Sequence, residues 1–134
     1  MELITTKIVL ARDIGVHGNL FGGLMLAWLD EAAAAFACQF ADSQAMVTKQ
    51  ISEVDFLRPV KTGRIVKIYG SIASIGITSL KLNLEARKHN PITGKQKPVC
   101  TTTMVFVQID EEGEPMPLSQ KVKDKWQNCP TLLI

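Results

Sequence analysis

Several kinds of functional motif are missing from this sequence of 134 residues. Its three cysteines, Cys38, Cys100 and Cys129, form no CxxC pair, and its two histidines have no metal-ligand spacing. We therefore expect neither a disulfide framework nor a metal site. The absence of a GxSxG elbow argues against a serine-hydrolase triad. A glycine-rich phosphate loop is not indicated either, because GxGxxG and P-loop motifs are both absent.

An excess of charge of one sign is also missing. The chain has 15 basic and 13 acidic residues, which gives a net charge of +2. This balance gives no reason to expect binding to nucleic acid or to a membrane surface. The segment from Met1 to Arg12 does not have the pattern of a signal peptide. We expect a cytoplasmic protein.

What is present first is a long apolar segment, Gly22 to Ala41, rich in the helix formers leucine, methionine and alanine. Its polar residues are Asp30, Glu31 and Gln39. Two adjacent carboxylates in the middle of the segment disfavour a membrane span. A helix that is apolar on nearly all sides must be buried on nearly all sides, so we predict the central helix of a core.

The other segments predict a sheet. Alternation and β-branched residues indicate strands at 3–11, 46–57, 64–74, 79–89 and 99–110, and a short helix is predicted at 119–127. Short connections favour antiparallel pairing. One long helix and a five-stranded antiparallel sheet give an α+β fold, and 134 residues suit a single domain. Because the sheet covers only part of such a helix, we expect a second subunit.

The segment from His17 to Gly23 leads into the helix and ends in a glycine pair. Gly22 and Gly23 leave backbone N–H groups uncovered at the helix start, where the helix dipole is positive. These donors suit a carbonyl oxygen that becomes negative during a reaction. The alternative is a tight turn in which the glycines only allow close packing.

Asp30 lies on the same side of the predicted helix as Gly23, Ala27 and Ala34, which are small. An isolated carboxylate on such a side is costly to bury and requires a reason. A catalytic base in a pocket is one reason. The alternative is that the carboxylate caps a neighbouring loop or pairs with a buried arginine. Glu31 points about 100° away and is predicted to be solvated or structural.

Taken together, these motifs resemble a known family. GNLFGG leading into an apolar helix with LDEAAA, followed by DFLRPV, is similar to the YciA-like acyl-CoA thioesterases and to the brain acyl-CoA hydrolase, over a core of about 5–114 with a tail at 115–134. The resemblance implies a hot-dog fold, a dimer with the active site at its interface, and often a hexamer. It implies hydrolysis of acyl-CoA to fatty acid and CoA, with no separate cofactor.

The resemblance also assigns residues. Asp30 is the catalytic carboxylate, as general base or nucleophile, and Asn19 assists it. The N–H of Gly23, helped by Gly22, is the oxyanion donor. The residues implied to contact CoA are Arg58, Thr78, Ser79, Arg87 and Lys88. Basic residues also gather at Arg58, Lys61 and Arg64 and at Arg87, Lys88, Lys95 and Lys97; they suit a solvated surface or, as a set, the phosphates of a nucleotide.

Two other functions stay open. The fold also serves as a non-catalytic acyl-CoA sensor in regulators, but no helix-turn-helix precedes the first strand of this chain. Hot-dog hydratases and dehydratases act on acyl thioesters with a histidine and an acid, and His17 keeps that activity possible. Acyl chain length and the regulation of the protein are not predicted.

Overall fold

The computed structural model describes residues 1–128; Cys129 and the rest of the predicted tail lie outside the described residues. Along the chain, the elements are β1 (Glu2–Ile8), a 3-10 turn (Ala11–Asp13), α1 (Gly22–Ala41), β2 (Met46–Phe56), β3 (Ile65–Ile75), β4 (Ser79–His89), β5 (Gln96–Gln108) and α2 (Gln120–Gln127). The predicted bounds of α1 and β4 are confirmed, and the other predicted strands differ at their ends by at most three residues.

The five strands form one antiparallel sheet in the order β1-β3-β4-β5-β2. The sheet wraps around α1, which contacts all five strands. Leu29, Ala33 and Ala37 of the helix are fully buried. They belong to the same core cluster as Leu82 and Phe106 of the sheet. The predicted α+β fold, with a long central helix wrapped by a five-stranded antiparallel sheet, is confirmed.

The hydropathy of α1 is explained by this packing. By length and composition the helix is apolar enough to cross a membrane. Here its apolar residues are instead the centre of the core cluster. Within one chain the helix is buried on one side only, because the sheet lies on that side; burial of the other side by a second subunit stays a prediction. An exposed stripe with a spacing of four residues runs along the other side: Gly23, Ala27, Glu31, Ala35 and Gln39.

The ends of two strands differ from the prediction for local reasons. β1 ends at Ile8, because the 3-10 turn Ala11–Asp13 follows shortly after it; the Val9 N–H still donates to the Arg64 carbonyl. β5 begins at Gln96, three residues earlier than predicted, because the hairpin before it is already closed by the Asn90 N–H donating to the Lys95 carbonyl.

β2 is an edge strand that pairs only with β5. Its register shifts twice, and Glu53 in the second irregularity has a φ of 52°. Large apolar side chains on this strand stay exposed, with Val47 at 40%, Ile51 at 36% and Phe56 at 56%. Within residues 1–128 the outer edge of β2 has no strand partner, so it is available for pairing with another chain.

Candidate active site

A cavity of about 410 Å³ lies at the start of α1. Its walls come from the loop before the helix and from the segment after β2. Most of the lining is apolar, with polar groups contributed by His17, Asn19, Gly22 and Arg58. An apolar cavity with a few polar groups is the usual form of a small-molecule site.

The loop before α1 is held rigidly by backbone hydrogen bonds. The Leu20 N–H donates to the Val60 carbonyl at 2.7 Å, and the Phe21 N–H donates to the Asp13 carbonyl at 2.9 Å. The Phe21 carbonyl then accepts the N–H groups of the first helical turn. As at any helix start, the first N–H groups have no intrahelical acceptor. In the described part of the chain, those of Gly22 and Gly23 have no other partner either.

The two glycines differ in their surroundings. Gly22 lines the cavity, and a Cβ added there meets the Phe56 ring at 3.5 Å, an ordinary contact. Gly23 is exposed and does not line the cavity, and a Cβ added there meets the Phe21 ring at 2.8 Å, so the ring would have to move. The close-packing interpretation therefore suits Gly23, and the donor interpretation suits Gly22, although the sequence had favoured Gly23 as the donor.

Asn19 contributes an unsatisfied acceptor. Its Oδ1 atom is buried and has no hydrogen-bond partner among residues 1–128. An unpaired buried polar atom costs about 1–3 kcal/mol, so such an atom usually has a functional reason. Because Asn19 also lines the cavity, its amide is placed to meet a polar group of a bound molecule.

Asp30 lies two turns further along α1. It is half-buried at the border of the apolar face rather than within it, and its Oδ1 accepts a hydrogen bond of 2.7 Å from Thr48 Oγ1 of β2. No arginine pairs with it in the described structure, so the predicted arginine alternative is not seen. No sequence pattern indicated Thr48 as a partner of Asp30, since the two residues are 18 positions apart.

Asp30 and the cavity are not brought together within one chain. Asp30 stands eight positions after Gly22, and at about 1.5 Å per residue this is roughly 12 Å along the helix axis. Asp30 does not line the cavity at the helix start. The amide donor and the carboxylate of one chain are therefore too far apart to act on the same carbon atom.

The predicted CoA residues also fall in separate places. Arg58 lines the cavity and donates through Nη1 to the Pro98 carbonyl. Thr78 lines a groove of about 300 Å³ together with Thr48, and Ser79 follows it at the start of β4. Arg87 and Lys88 lie at the opposite end of that strand, about 30 Å away at roughly 3.3 Å per residue.

Arg87 is engaged by its neighbours on the sheet. Its guanidinium pairs with Glu85 and lies 4.0 Å from the centre of the Tyr69 ring. This leaves Arg87 little freedom to bind a ligand. As for metals, no group of three histidine, cysteine or acidic side chains suited to bind an ion occurs in the described residues.

The segment that builds this site is also the segment that matches known proteins. A sequence model of the thioesterase superfamily matches residues 17–95, more than half of the chain, including the glycine pair and Asp30. The chain belongs to the thioesterase superfamily. Among curated relatives of this thioesterase, the acyl-CoA thioester hydrolase YciA of Salmonella typhimurium is 28% identical over 120 residues, covering 87% of this chain and 90% of that protein.

Solved structures of thioesterases have the same fold. The acyl-CoA hydrolase from Staphylococcus aureus, in complex with butyryl coenzyme A, coenzyme A and coenzyme A disulfide, is 27% identical with a TM-score of 0.80 and covers 96% of this chain and 82% of its own. The hexameric thioesterase y2039 from Yersinia pestis is 25% identical with a TM-score of 0.81, covering 89% and 96%. The predicted hot-dog fold is confirmed. Two single variants of the S. aureus enzyme were also solved. In one, alanine replaces an asparagine at position 28 of that chain; in the other, alanine replaces an aspartate at position 43, 15 positions later.

Proposed function

We propose that this chain is an acyl-CoA thioesterase, which hydrolyses the thioester to a fatty acid and free CoA. Its relatives from Salmonella typhimurium and Staphylococcus aureus are acyl-CoA hydrolases by name. The observation that carries the proposal is the unpartnered Gly22 N–H at the wall of an apolar cavity. Such a donor, at the positive end of a 20-residue helix, stabilises the oxygen of a thioester carbonyl as it becomes negative.

Asp30 supplies the carboxylate that either attacks the thioester carbonyl or activates a water molecule. Thr48 holds its Oδ1, so Oδ2 is the atom available to take a proton from water or to attack the carbonyl carbon. A hydrogen bond to the ionised form also keeps the carboxylate oriented. Thr48 is thus a positioning residue in this proposal, and Asp30 is the catalytic residue.

The two halves of the site come from two subunits. β2 lies along α1, with Thr48 beside Asp30 and Phe56 beside Gly22. When two β2 edges pair antiparallel about a two-fold axis near Ser52, Thr48 of one chain lies opposite Phe56 of the partner subunit. Asp30 of each chain then faces the cavity of the other. The dimer therefore forms two equivalent composite sites.

Asn19 is the side-chain amide of the cavity. In the S. aureus hydrolase, the asparagine and aspartate that were replaced stand 15 positions apart, at 28 and 43. Fifteen positions before Asp30, this chain has Gly15, which offers no side chain, whereas Asn19 stands 11 positions before it. The unpartnered Oδ1 of Asn19 supports its use as the group that orients the water or the thioester.

The assembly proposed for this chain is a dimer of the kind just described, within a hexamer like that of the Yersinia pestis thioesterase. Residues from several subunits then contact the long CoA molecule: Arg58 lines the cavity of one subunit, and the groove lined by Thr48 and Thr78 belongs to the other subunit of the pair. CoA is part of the substrate and product, so no other cofactor takes part. We place this reaction in the cytoplasm.

The test is a thiol-release assay with acyl-CoA of short, medium and long chains, comparing the protein with Asp30→Asn. Asparagine has the same shape and still accepts from Thr48, so the fold and the dimer are expected to persist. Loss of the carboxylate is expected to lower kcat by about 10²–10⁴, the usual contribution of a general base.

The matched control is Glu31→Gln, which removes the neighbouring carboxylate from the exposed stripe of α1 and is expected to keep full activity. An active Asp30→Asn enzyme contradicts the assignment of the catalytic carboxylate. Binding of acyl-CoA without turnover at any chain length contradicts the enzymatic function and indicates a sensor.

A further inference from the structure

A second cavity, of about 550 Å³, lies beyond the end of the sheet where a hairpin joins β4 to β5. We call it the hairpin cavity. It is separate from the cavity at the start of α1 and shares no lining residue with it. Its ionisable lining residues are all basic, with no carboxylate among them: Arg64, Lys88, His89, Lys95 and Lys97.

The hairpin cavity concentrates charge far beyond the average of the chain. It holds four of the 15 lysine and arginine residues and none of the 13 acidic residues. None of those four cations is paired with a carboxylate within residues 1–128. Like charges around a concave surface repel one another and focus a positive potential, and a bound anion relieves that repulsion.

The walls that carry these cations are fixed before any ligand binds. The Asn90 side chain accepts from the Ile92 N–H at 2.9 Å and from the Thr93 N–H at 3.3 Å, and the Asn90 N–H donates to the Lys95 carbonyl. On the opposite wall the Gly63 N–H donates to the Val9 carbonyl at 2.8 Å. A site on loops that are already ordered loses less entropy on binding.

We propose that the hairpin cavity binds the phosphate groups of an organic phosphate. Arginine and lysine together suit phosphate, which carries multiple charges and several acceptor oxygens. Two sources share this chemistry. One is the nucleotide end of the substrate's own CoA. The two cavities are close enough for one molecule to reach both, because Val99 lines the first and Lys97 lines the second, about 7 Å apart along β5. The other source is a separate nucleotide.

The test uses inorganic pyrophosphate as the probe, with binding measured by calorimetry in low salt. Lys95→Gln/Lys97→Gln removes two exposed charges from the hairpin cavity. Lys81→Gln/Lys121→Gln removes two exposed charges elsewhere and is the matched control. We expect the affinity to fall about tenfold in the first variant and to stay unchanged in the control. The affinity is also expected to fall as salt is added.

Absence of pyrophosphate binding to the unmodified protein, or an equal loss in both variants, overturns the proposal. Because this assay involves no hydrolysis, its result is independent of whether the chain proves to be a thioesterase. The hypothesis that the bound phosphates belong to the substrate CoA rests on the proposed function. It predicts that CoA displaces pyrophosphate. It also predicts that Lys95→Gln/Lys97→Gln raises KM for acyl-CoA but not for acyl-pantetheine. Simultaneous binding of CoA and pyrophosphate identifies a separate ligand.

Discussion

At the residue scale, Gly22 and Gly23 are adjacent in the chain but lie in different surroundings. A Cβ at Gly23 meets the Phe21 ring at 2.8 Å, so a larger residue there requires that ring to move. Gly22 has room for a Cβ and lines the apolar cavity, and its backbone N–H has no acceptor among residues 1–128. In the mechanism proposed above, the chemistry of this position belongs to the backbone, so we expect it to survive a change of side chain.

Gly22→Pro tests this assignment by removing the N–H itself. Gly22 is the first residue of α1, where proline is well tolerated, and Phe21 before it has φ −62° and ψ 127°, as a residue preceding proline requires. We expect the melting temperature to change little and kcat to fall by about 10²–10³, the usual cost of one oxyanion donor. Gly22→Ala keeps the N–H and is the control. A fully active proline variant assigns the donor elsewhere.

At the element scale, the end of α1 is tied to α2 by charge. Asp42 ends α1 in a left-handed conformation with φ 50°, and Lys125 of α2 donates to both the Phe40 carbonyl at 2.7 Å and Asp42 Oδ2 at 3.3 Å. The hydrogen bond from Lys125 holds the pKa of Asp42 below its ordinary value of 3.8, and the charge of Lys121 acts in the same direction. α2 is thus anchored on the C-terminal end of the central helix.

Asp42→Asn tests this anchor, because asparagine also accepts a left-handed backbone. A lowered pKa in the folded state means that the charged form contributes stability above pH 3.8, and that this contribution disappears as the pH falls through the lowered pKa. Thermal unfolding is therefore expected to show a lower melting temperature for the variant at pH 7, and a difference from the unmodified protein that shrinks as the pH falls below 3.8. A difference that persists in acid contradicts the electrostatic explanation.

At the scale of the whole molecule, one chain leaves three features incomplete. Within residues 1–128 the outer edge of β2 has no strand partner, α1 keeps an exposed stripe, and Asp30 lies roughly 12 Å from the Gly22 amide along the helix. In the proposed dimer, antiparallel pairing of two β2 strands gives each outer edge a partner and brings Asp30 of one chain to the cavity of the other. The active site proposed here is therefore a property of the dimer.

Mixing two inactive variants tests the composite site. In a dimer of one Asp30→Asn chain and one Gly22→Pro chain, both changes fall in one site and the other site is intact. Random exchange of subunits is expected to restore about 25% of full activity, because half of the dimers are mixed and each has one working site. If both groups act within one chain, mixing restores nothing. Light scattering, which is expected to detect at least a dimer, accompanies the assay.

Two things could be predicted from the order of the amino acids, namely the helices and strands and the family. Periodicity placed α1 and β4 at their observed bounds, and GNLFGG with the aspartate of LDEAAA indicated a thioesterase. These signals are local, since each depends on residues that are neighbours along one helix or strand. The tertiary structure alone decided which glycine lines a cavity, that Thr48 holds Asp30, and that basic residues from two separate loops line one cavity. Those contacts join residues far apart in the chain, and their distances are set by how the sheet curves around the helix.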